Sequence, residues 1–234
     1  MIAVRERLLA RDVEIARGRL DPSMVLNLTG YPGGGSILQD RSLYRNNGTL
    51  NAPVWTRLPS GLWVLDFDGL DDNVTTGNDA TDLSAGCTFR TWLQVHANPT
   101  EGLVFRPVLA KGSGVRGLVW HISGYAGSPG LAMVANTQGD TPTYWATYQL
   151  PIDTTWRHIV GTWDGTRDRL YVNGVLVATS GQDDTWTTAT APFLMRASDR
   201  PLDSWQALSV ICSGAWTLAQ VGNDYQKDKP FFVV

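Results

Sequence analysis

Four aspartates, Asp66, Asp68, Asp71 and Asp72, crowd into the run DFDGLDDN at Asp66–Asn73, the densest set of hard oxygen ligands in the chain. Calcium takes six to eight carboxylate, carbonyl or water oxygens, so Asp68, Asp71 and Asp72 are candidate calcium ligands. The competing role is structural, with Asp68 and Asp71 accepting turn amides to fix the corner at Gly69. Softer metals find nothing comparable. His96, His121 and His158 are scattered without a spaced pair, and two cysteines cannot make a four-ligand zinc site. Cys87 and Cys212 sit among apolar neighbours and read as buried thiols.

Nucleophile and phosphate motifs fail on context. The nearest approach to a serine elbow, AGSPG at Ala126–Gly130, begins with Ala and contains Pro, so a turn explains it. GSGVRG at Gly112–Gly117 matches a dinucleotide fingerprint but precedes the strand-like LVWHIS, not a helix. TGYPGGGS lacks the Gly-Lys-Ser/Thr ending of a phosphate loop. His158 lies between Arg157 and Ile159 with no serine or cysteine nearby to activate, and reads as a packed or sheet-surface histidine.

Aromatic rings could instead hold sugars by stacking, with Asn, Asp and Gln meeting the hydroxyls. Trp120, Trp145 and Trp186 are the candidates. Trp186 lies in the polar, Thr-rich DDTWTTATAP, where an exposed ring is most plausible. The competing role, core packing, is favoured for each ring, because aromatic burial is what stabilises a sandwich.

The elements that must position these groups are strands. Ten Trp, 24 Gly and many Thr against few Glu and Lys favour sheets and turns over helices. From Leu62 onward, short apolar runs and turn residues alternate as in a β-sandwich. CTFRTWLQV puts Cys87, Phe89, Leu93 and Val95 on one face, with Arg90, Trp92 and Gln94 on the other. Asn173–Gly174 predicts a two-residue type I′ hairpin pairing Val172 with Val175, Tyr171 with Leu176 and Leu170 with Val177. Asp164 and Asp168 read as turn residues. The arm spans residues 1–22, and within it Met1–Leu20 is the one predicted helix, with Val4, Leu8 and Ile15 clustered on the same side as Arg11. It has no continuous apolar core, so it is not expected to be a secretory signal. The formal charge of −3 supplies no basic field for nucleic acid, and no apolar run reaches the ~20 residues that cross a bilayer.

Three segments carry a resemblance. WRHIVGTWDGT…LYVNGVLVA, DRSLYRNNGTLNAPVW and LDFDGLDDNVTT resemble, in order and spacing, segments of laminin-G-like domains in the concanavalin A-like lectin/glucanase superfamily. The resemblance runs from about Met24 to about Ala197 and implies an all-β, concanavalin A-like jelly roll of two antiparallel sheets. Residues 23–215 form that domain, and residues 216–234 a C-terminal tail. Many relatives bind calcium, but the closing strand here carries Gln206 and Ala207 where acids are expected, which weighs towards the structural role for Asp68 and Asp71. Glucanase relatives place Glu-x-Asp-x-Glu on one strand. This chain has three glutamates, two of them in the arm, so that motif is absent and no enzyme is expected.

The functional expectation is a non-enzymatic binding or assembly module. Val4, Leu8, Arg11 and Ile15 of the arm and Phe231 and Phe232 of the tail are expected to dock it on a protein partner in a larger assembly. An added arm resembles those of bacteriophage structural proteins, which implies a decoration or tail-associated protein of the virion surface, made in the host cytoplasm. It is expected to be able to form a homo-oligomer. The second reading is a lectin for a cell-surface glycan, with or without calcium. The third is a glycoside hydrolase.

Overall fold

Runs rich in β-branched and aromatic residues, closed by Gly, Asp and Asn turns, fold as strands. The structure, a computed structural model, describes residues 21, 23–29, 34–97, 105–112, 116–121, 130–134, 145–180, 190–195 and 202–232. These form two antiparallel sheets packed as a jelly-roll-like sandwich. The first sheet runs in the order β14 (Val175–Thr179), β13 (Asp168–Val172), β12 (Arg157–Trp163), β7 (Cys87–Val95), β16 (Asp203–Ser213), β5 (Trp63–Asp68) and β4 (Val54–Arg57). Strand β1 (Met24–Leu28) also pairs with β16. The second sheet runs β11 (Ala146–Tyr148), β10 (Gly130–Val134), β9 (Arg116–His121), β8 (Phe105–Lys111), β15 (Ala191–Met195), β6 (Asn73–Asp79), β3 (Gly48–Asn51) and β2 (Ile37–Leu38).

Alternation decides which side chains meet between the sheets. On β7, Cys87, Phe89, Leu93 and Val95 enter the main core, while Trp92 points to the outer face. Yet all nine residues of this strand are buried. The cover is the end of the chain. Helix α1 (Leu218–Asp228), capped by a reciprocal Thr217–Gln220 box, and the 3-10 turn Lys229–Phe231 lie over the first sheet. Val221 packs with Val160 and Tyr171, and the Phe232 ring stacks on Trp92 at 4.1 Å. Phe231 and Phe232, expected to dock on a partner, are 6% and 9% exposed and close a second cluster with Leu58, Leu62, Val64 and Trp92. Burying two Phe rings on the chain's own sheet removes them from water without a partner, which corrects that expectation. Val4, Leu8, Arg11 and Ile15 lie outside the described residues.

Beneath α1 sits a charged cluster. Strand β16 changes partner along its length: Asp203–Gln206 pairs with β5 and Ser209–Cys212 with β1. A bulge between Ala207 and Val210 marks the change, with Leu208 at φ +51°. The bulge turns the Leu208 carbonyl out of the ladder, where Arg90 Nη1 donates to it. Arg90 Nε pairs with Asp224 at 2.6 Å, its Nη2 pairs with Asp228, and His158 Nε2 lies 2.9 Å from Asp224. His158 is packed, as its sequence context predicts, but in an ionic cluster that the sequence does not announce. Burial and then the Arg90 charge hold the His158 imidazole below its ordinary value. Burial alone would raise Asp224, but the Arg90 charge and the His158 hydrogen bond outweigh it and hold the carboxyl well below the carboxylate range.

Two local expectations are corrected. The hairpin turn forms at Asn173 and Gly174 with φ +52° and +82°, and Val172 and Tyr171 pair as predicted. Beyond them a bulge shifts the register, so Leu170 faces Ala178 instead of Val177. Asp164 is a turn residue, accepting the Thr166 and Arg167 amides at 2.9 Å each. Asp168 is not. It opens β13 opposite Trp163, fully buried, with its amide donating to Ser180 Oγ at 2.8 Å. Cys87 and Cys212 are free, buried thiols, and burial pushes Cys212 up to about 12.

Candidate functional site

Helix α1 leaves one end of the outer face of the first sheet open, and the strand register determines what is displayed there. Trp205 of β16 lies opposite Gln94 of β7 on one side and Asp66 of β5 on the other. Two residues towards the rim, Asp203 lies opposite Asp68, and the His96 amide donates to the Asp203 carbonyl at 3.0 Å. Alternation puts Asp203, Trp205, Asp66, Asp68 and Gln94 on the same face as Val64 and Trp92.

Trp205 is the half-buried centre of this face. One side packs on the outer cluster, with the Trp156 ring 6.3 Å away, and the His96 ring meets it edge-on at 5.2 Å. His96 Nδ1 is held 3.0 Å from Asp203 Oδ1. Gln94 is 8% exposed; its Nε2 donates to the Thr154 carbonyl, while its Oε1 has no partner among the described residues. A flat ring edged by carboxylates is a surface that suits a sugar: CH groups on the ring, hydroxyls to the carboxylates.

The β5–β6 turn supplies the acidic rim. Asp68 Oδ1 accepts the Leu70 amide at 2.8 Å, and Asp72 Oδ2 accepts the Asp68 amide at 2.9 Å. Gly69, at φ +78°, lets the turn lie against β16; a Cβ there would fall 3.0 Å from Asp203. The result brings one carboxylate oxygen each of Asp68, Asp71 and Asp72 within 4.8 Å of one another. Burial first, and then the charges of Asp68, Asp71 and Asp66, push the Asp72 carboxyl up. That crowding fits a divalent cation, which would relieve it, and Asp68 and Asp72 retain acceptor capacity beyond their turn bonds. Asp68 has the structural role expected of it, whereas Asp72, not Asp71, provides the second turn acceptor.

The three predicted tryptophans are elsewhere. Trp120 is fully buried in the main core, and Trp145 is 6% exposed among Val119, Ala132 and Val134. Neither ring reaches solvent, because β9 and the entry to β11 direct them to packed faces; this corrects their assignment as sugar platforms. Trp186 lies outside the described residues. The residues missed were Trp205, His96, Asp203 and Gln94. Alternation within DSWQ, which puts Asp203 and Trp205 on one face, was the available signal. The Asp66–Asp68 spacing places two carboxylates on one face beside Asp203. The replacement of closing acids has a physical reason at Gln206. It is 1% exposed and faces inward, where Nε2 donates to the Val108 carbonyl at 2.9 Å and to Ser209 Oγ at 3.2 Å. A carboxylate there would be a buried charge without those donors.

Residues 67–209 match the family model described as concanavalin A-like lectin/glucanases superfamily, in its laminin-G form. A comparison with curated proteins returned no match. Among solved structures, the binding domain of Paraclostridial Mosquitocidal Protein 1 is similar at 12% identity and TM-score 0.65, over 87% of this chain and 52% of that one. The botulinum neurotoxin serotype D binding domain is similar at 12% identity and TM-score 0.65, over 89% and 53%. The present chain thus spans about half the length of these toxin domains. Domain 4 of AbnA, an extracellular arabinanase from Geobacillus stearothermophilus, in complex with arabinotriose, is similar at 17% identity and TM-score 0.62, over 86% and 97%. At these identities the likeness concerns the fold.

Proposed function

Because this chain belongs to the concanavalin A-like lectin/glucanases superfamily, we propose that it is a non-enzymatic binding module that takes a glycan on the open end of its first sheet. The observation that carries this reading is Trp205, half-buried between Gln94 and Asp66 and edged by His96. Asp68, Asp71 and Asp72 would hold calcium at the rim of the same face, where the cation would supply a hard Lewis-acid contact for sugar oxygens. Arabinotriose, in complex with the similar domain 4 of AbnA, supports the class of ligand. The carboxylate that is pushed up, Asp72, is 4% exposed beneath its turn, a poor position for an acid that must protonate a leaving group.

The test is a glycan array followed by titration calorimetry, with calcium and with a chelator. The expected result is saturable binding that falls at least about tenfold in Trp205→Ala, the loss of an aromatic anchor, and weakens in Asp68→Asn or with chelator. Wild-type affinity in Trp205→Ala would sink the site. Release of reducing ends from a bound glycan would make the protein a hydrolase.

We further propose that the module is an accessory protein of a phage virion, at the shell or tail surface. The support is the arm at residues 1–22, whose Val4, Leu8 and Ile15 stripe beside Arg11 offers a docking face. The tail adds nothing to this, since Phe231 and Phe232 are spent on the chain's own sheet.

A further inference from the structure

A second polar site lies in the loop that leads from β2 into β3. Asp40 is 1% exposed and its carboxylate is fully engaged inside the loop: Oδ1 accepts the Asn27 and Ser42 amides at 2.8 and 2.9 Å, and Oδ2 accepts Ser42 Oγ and the Asn46 amide at 2.7 Å each. These four donors offset its charge and make the loop a rigid rim. Around it opens a pocket of about 360 Å³ lined by Gln39, Asp40, Arg41, Arg45 and Asn47. The volume lies within the ~300–1,000 Å³ range of small-ligand sites.

What faces the pocket is rich in donors. Asn47 Oδ1 is occupied by the Asp40 amide at 2.9 Å, which leaves its Nδ2 to point elsewhere. Arg45 has left-handed backbone, φ +56°, an uncommon conformation for a bulky residue, and its guanidinium has no hydrogen bond or ion pair among the described residues. Arg41 adds a second guanidinium to the wall, and Gln39 an exposed amide. Arg45 is a permanent cation beside a carboxylate already satisfied by four donors. Arg45 is exposed, and an arginine on the wall of a concave site, with no protein partner among the described residues, has its donors available to an oxyanion.

This pocket is also remote from Trp205. Asn46 Nδ2 donates to Asp79 at 2.8 Å, at the last residue of β6, whereas Asp72 immediately precedes the first residue of that strand. Six residues of extended chain separate those ends by roughly 20 Å.

We propose that the Gln39–Asn47 loop is an anion-binding site for a carboxylate-bearing sugar, with Arg45 as the principal contact and Asn47 Nδ2 and Arg41 as further donors. Exposed Tyr44, at 46%, and Leu43, at 57%, on the same loop offer apolar surface beside the charge, which suits a sugar acid better than a bare inorganic ion. The site does not depend on the glycan reading of the Trp205 face.

The experiment titrates the full chain with glucuronate and N-acetylneuraminate, with methyl glucuronate ester as the uncharged control and with inorganic phosphate and sulfate as the other source of oxyanions. Amide chemical shifts report the location. The expected result is saturable binding of a sugar acid that shifts the Arg41–Asn47 amides, is absent for the ester, and weakens about tenfold to a hundredfold in Arg45→Gln. Trp205→Ala, at the other end, should leave this binding unchanged, so failure here and failure of the glycan face are separate results. Phosphate or sulfate binding at the same amides more tightly than either sugar acid would overturn the sugar assignment. No saturable shift with any of these anions, or equal affinity in Arg45→Gln, would overturn the site.

Discussion

Arg90 shows how a single residue can tie two layers together. It lies on the outer side of β7, where alternation allows an exposed cation, yet it is fully buried because α1 brings Asp224 and Asp228 down onto it. Removing the cation strands two carboxylates in a dry site, so Arg90→Met should cost roughly 3–5 kcal/mol of stability, read from urea unfolding. His158 adds a pH dependence whose sign follows from its depressed folded value. The unfolded chain takes up a proton as pH falls through about 6.5 while the folded imidazole stays neutral, so stability drops on acidification below that point. The groups facing it are Arg90 on β7 and Asp224 on α1. Asp224, depressed in the folded state, contributes stability that persists above about 3.9 and is lost only at lower pH, so it does not blur that window. Urea midpoints of His158→Gln should therefore fall less than those of the wild type between about pH 7.5 and 5.5, where each group contributes at most about 1.4 kcal/mol per unit. Parallel curves would remove His158 from the account.

Helix α1 is the element that covers the outer face of the first sheet around Arg90, Trp92 and Tyr171 and leaves the Trp205 end open. It lies beyond the matched residues 67–209, yet it supplies Val221 and the acids that pair with Arg90, and the turn after it supplies Phe231 and Phe232. Phe232 stacks on Trp92 at an interplanar angle of 12° and touches Trp156 at 4.8 Å, the ring that in turn neighbours Trp205. Phe232→Ala should therefore cost about 3 kcal/mol in unfolding and should also weaken ligand binding at Trp205, because Trp156 loses its backing. Thr217→Ala, which removes only the helix cap, should cost about 1 kcal/mol and leave binding unchanged. If both variants affected binding equally, the route from Phe232 through Trp156 would be wrong. Gly174 fits the same logic: the hairpin turn passes under α1, where a Cβ would lie 3.2 Å from the Tyr225 ring.

On the scale of the whole molecule, charge is divided between two ends of one sandwich. Asp66, Asp68, Asp71, Asp72 and Asp203 gather at one rim, and Arg41 and Arg45 line a pocket at the other. In the proposed role, the module would hold a glycan at one end while docking through its arm. Deleting residues 1–20 tests that use. The expected outcome is a folded protein, with unchanged glycan titration, that no longer co-sediments with its parent particle. Unchanged co-sedimentation would end the docking role of Val4, Leu8, Arg11 and Ile15.

Patterns repeated along the chain were enough to determine the fold. Two-residue alternation, the Asn173–Gly174 turn and the three family-like segments each report on neighbours close in sequence, and a sandwich is the sum of such pairings. Asp68, Asp71 and Asp72 were legible for the same reason, since one tight turn brings them together. The Trp205 face was not, because it joins β5 and β7 to β16, a strand more than a hundred residues further along the chain, and only their register sets Gln94, Trp205 and Asp66 in a row. Burial was equally hidden. Whether Trp120, Trp145, Arg90 or Phe232 meets water depends on which layer lies above it, and no residue's own neighbours in sequence specify the layer that covers it.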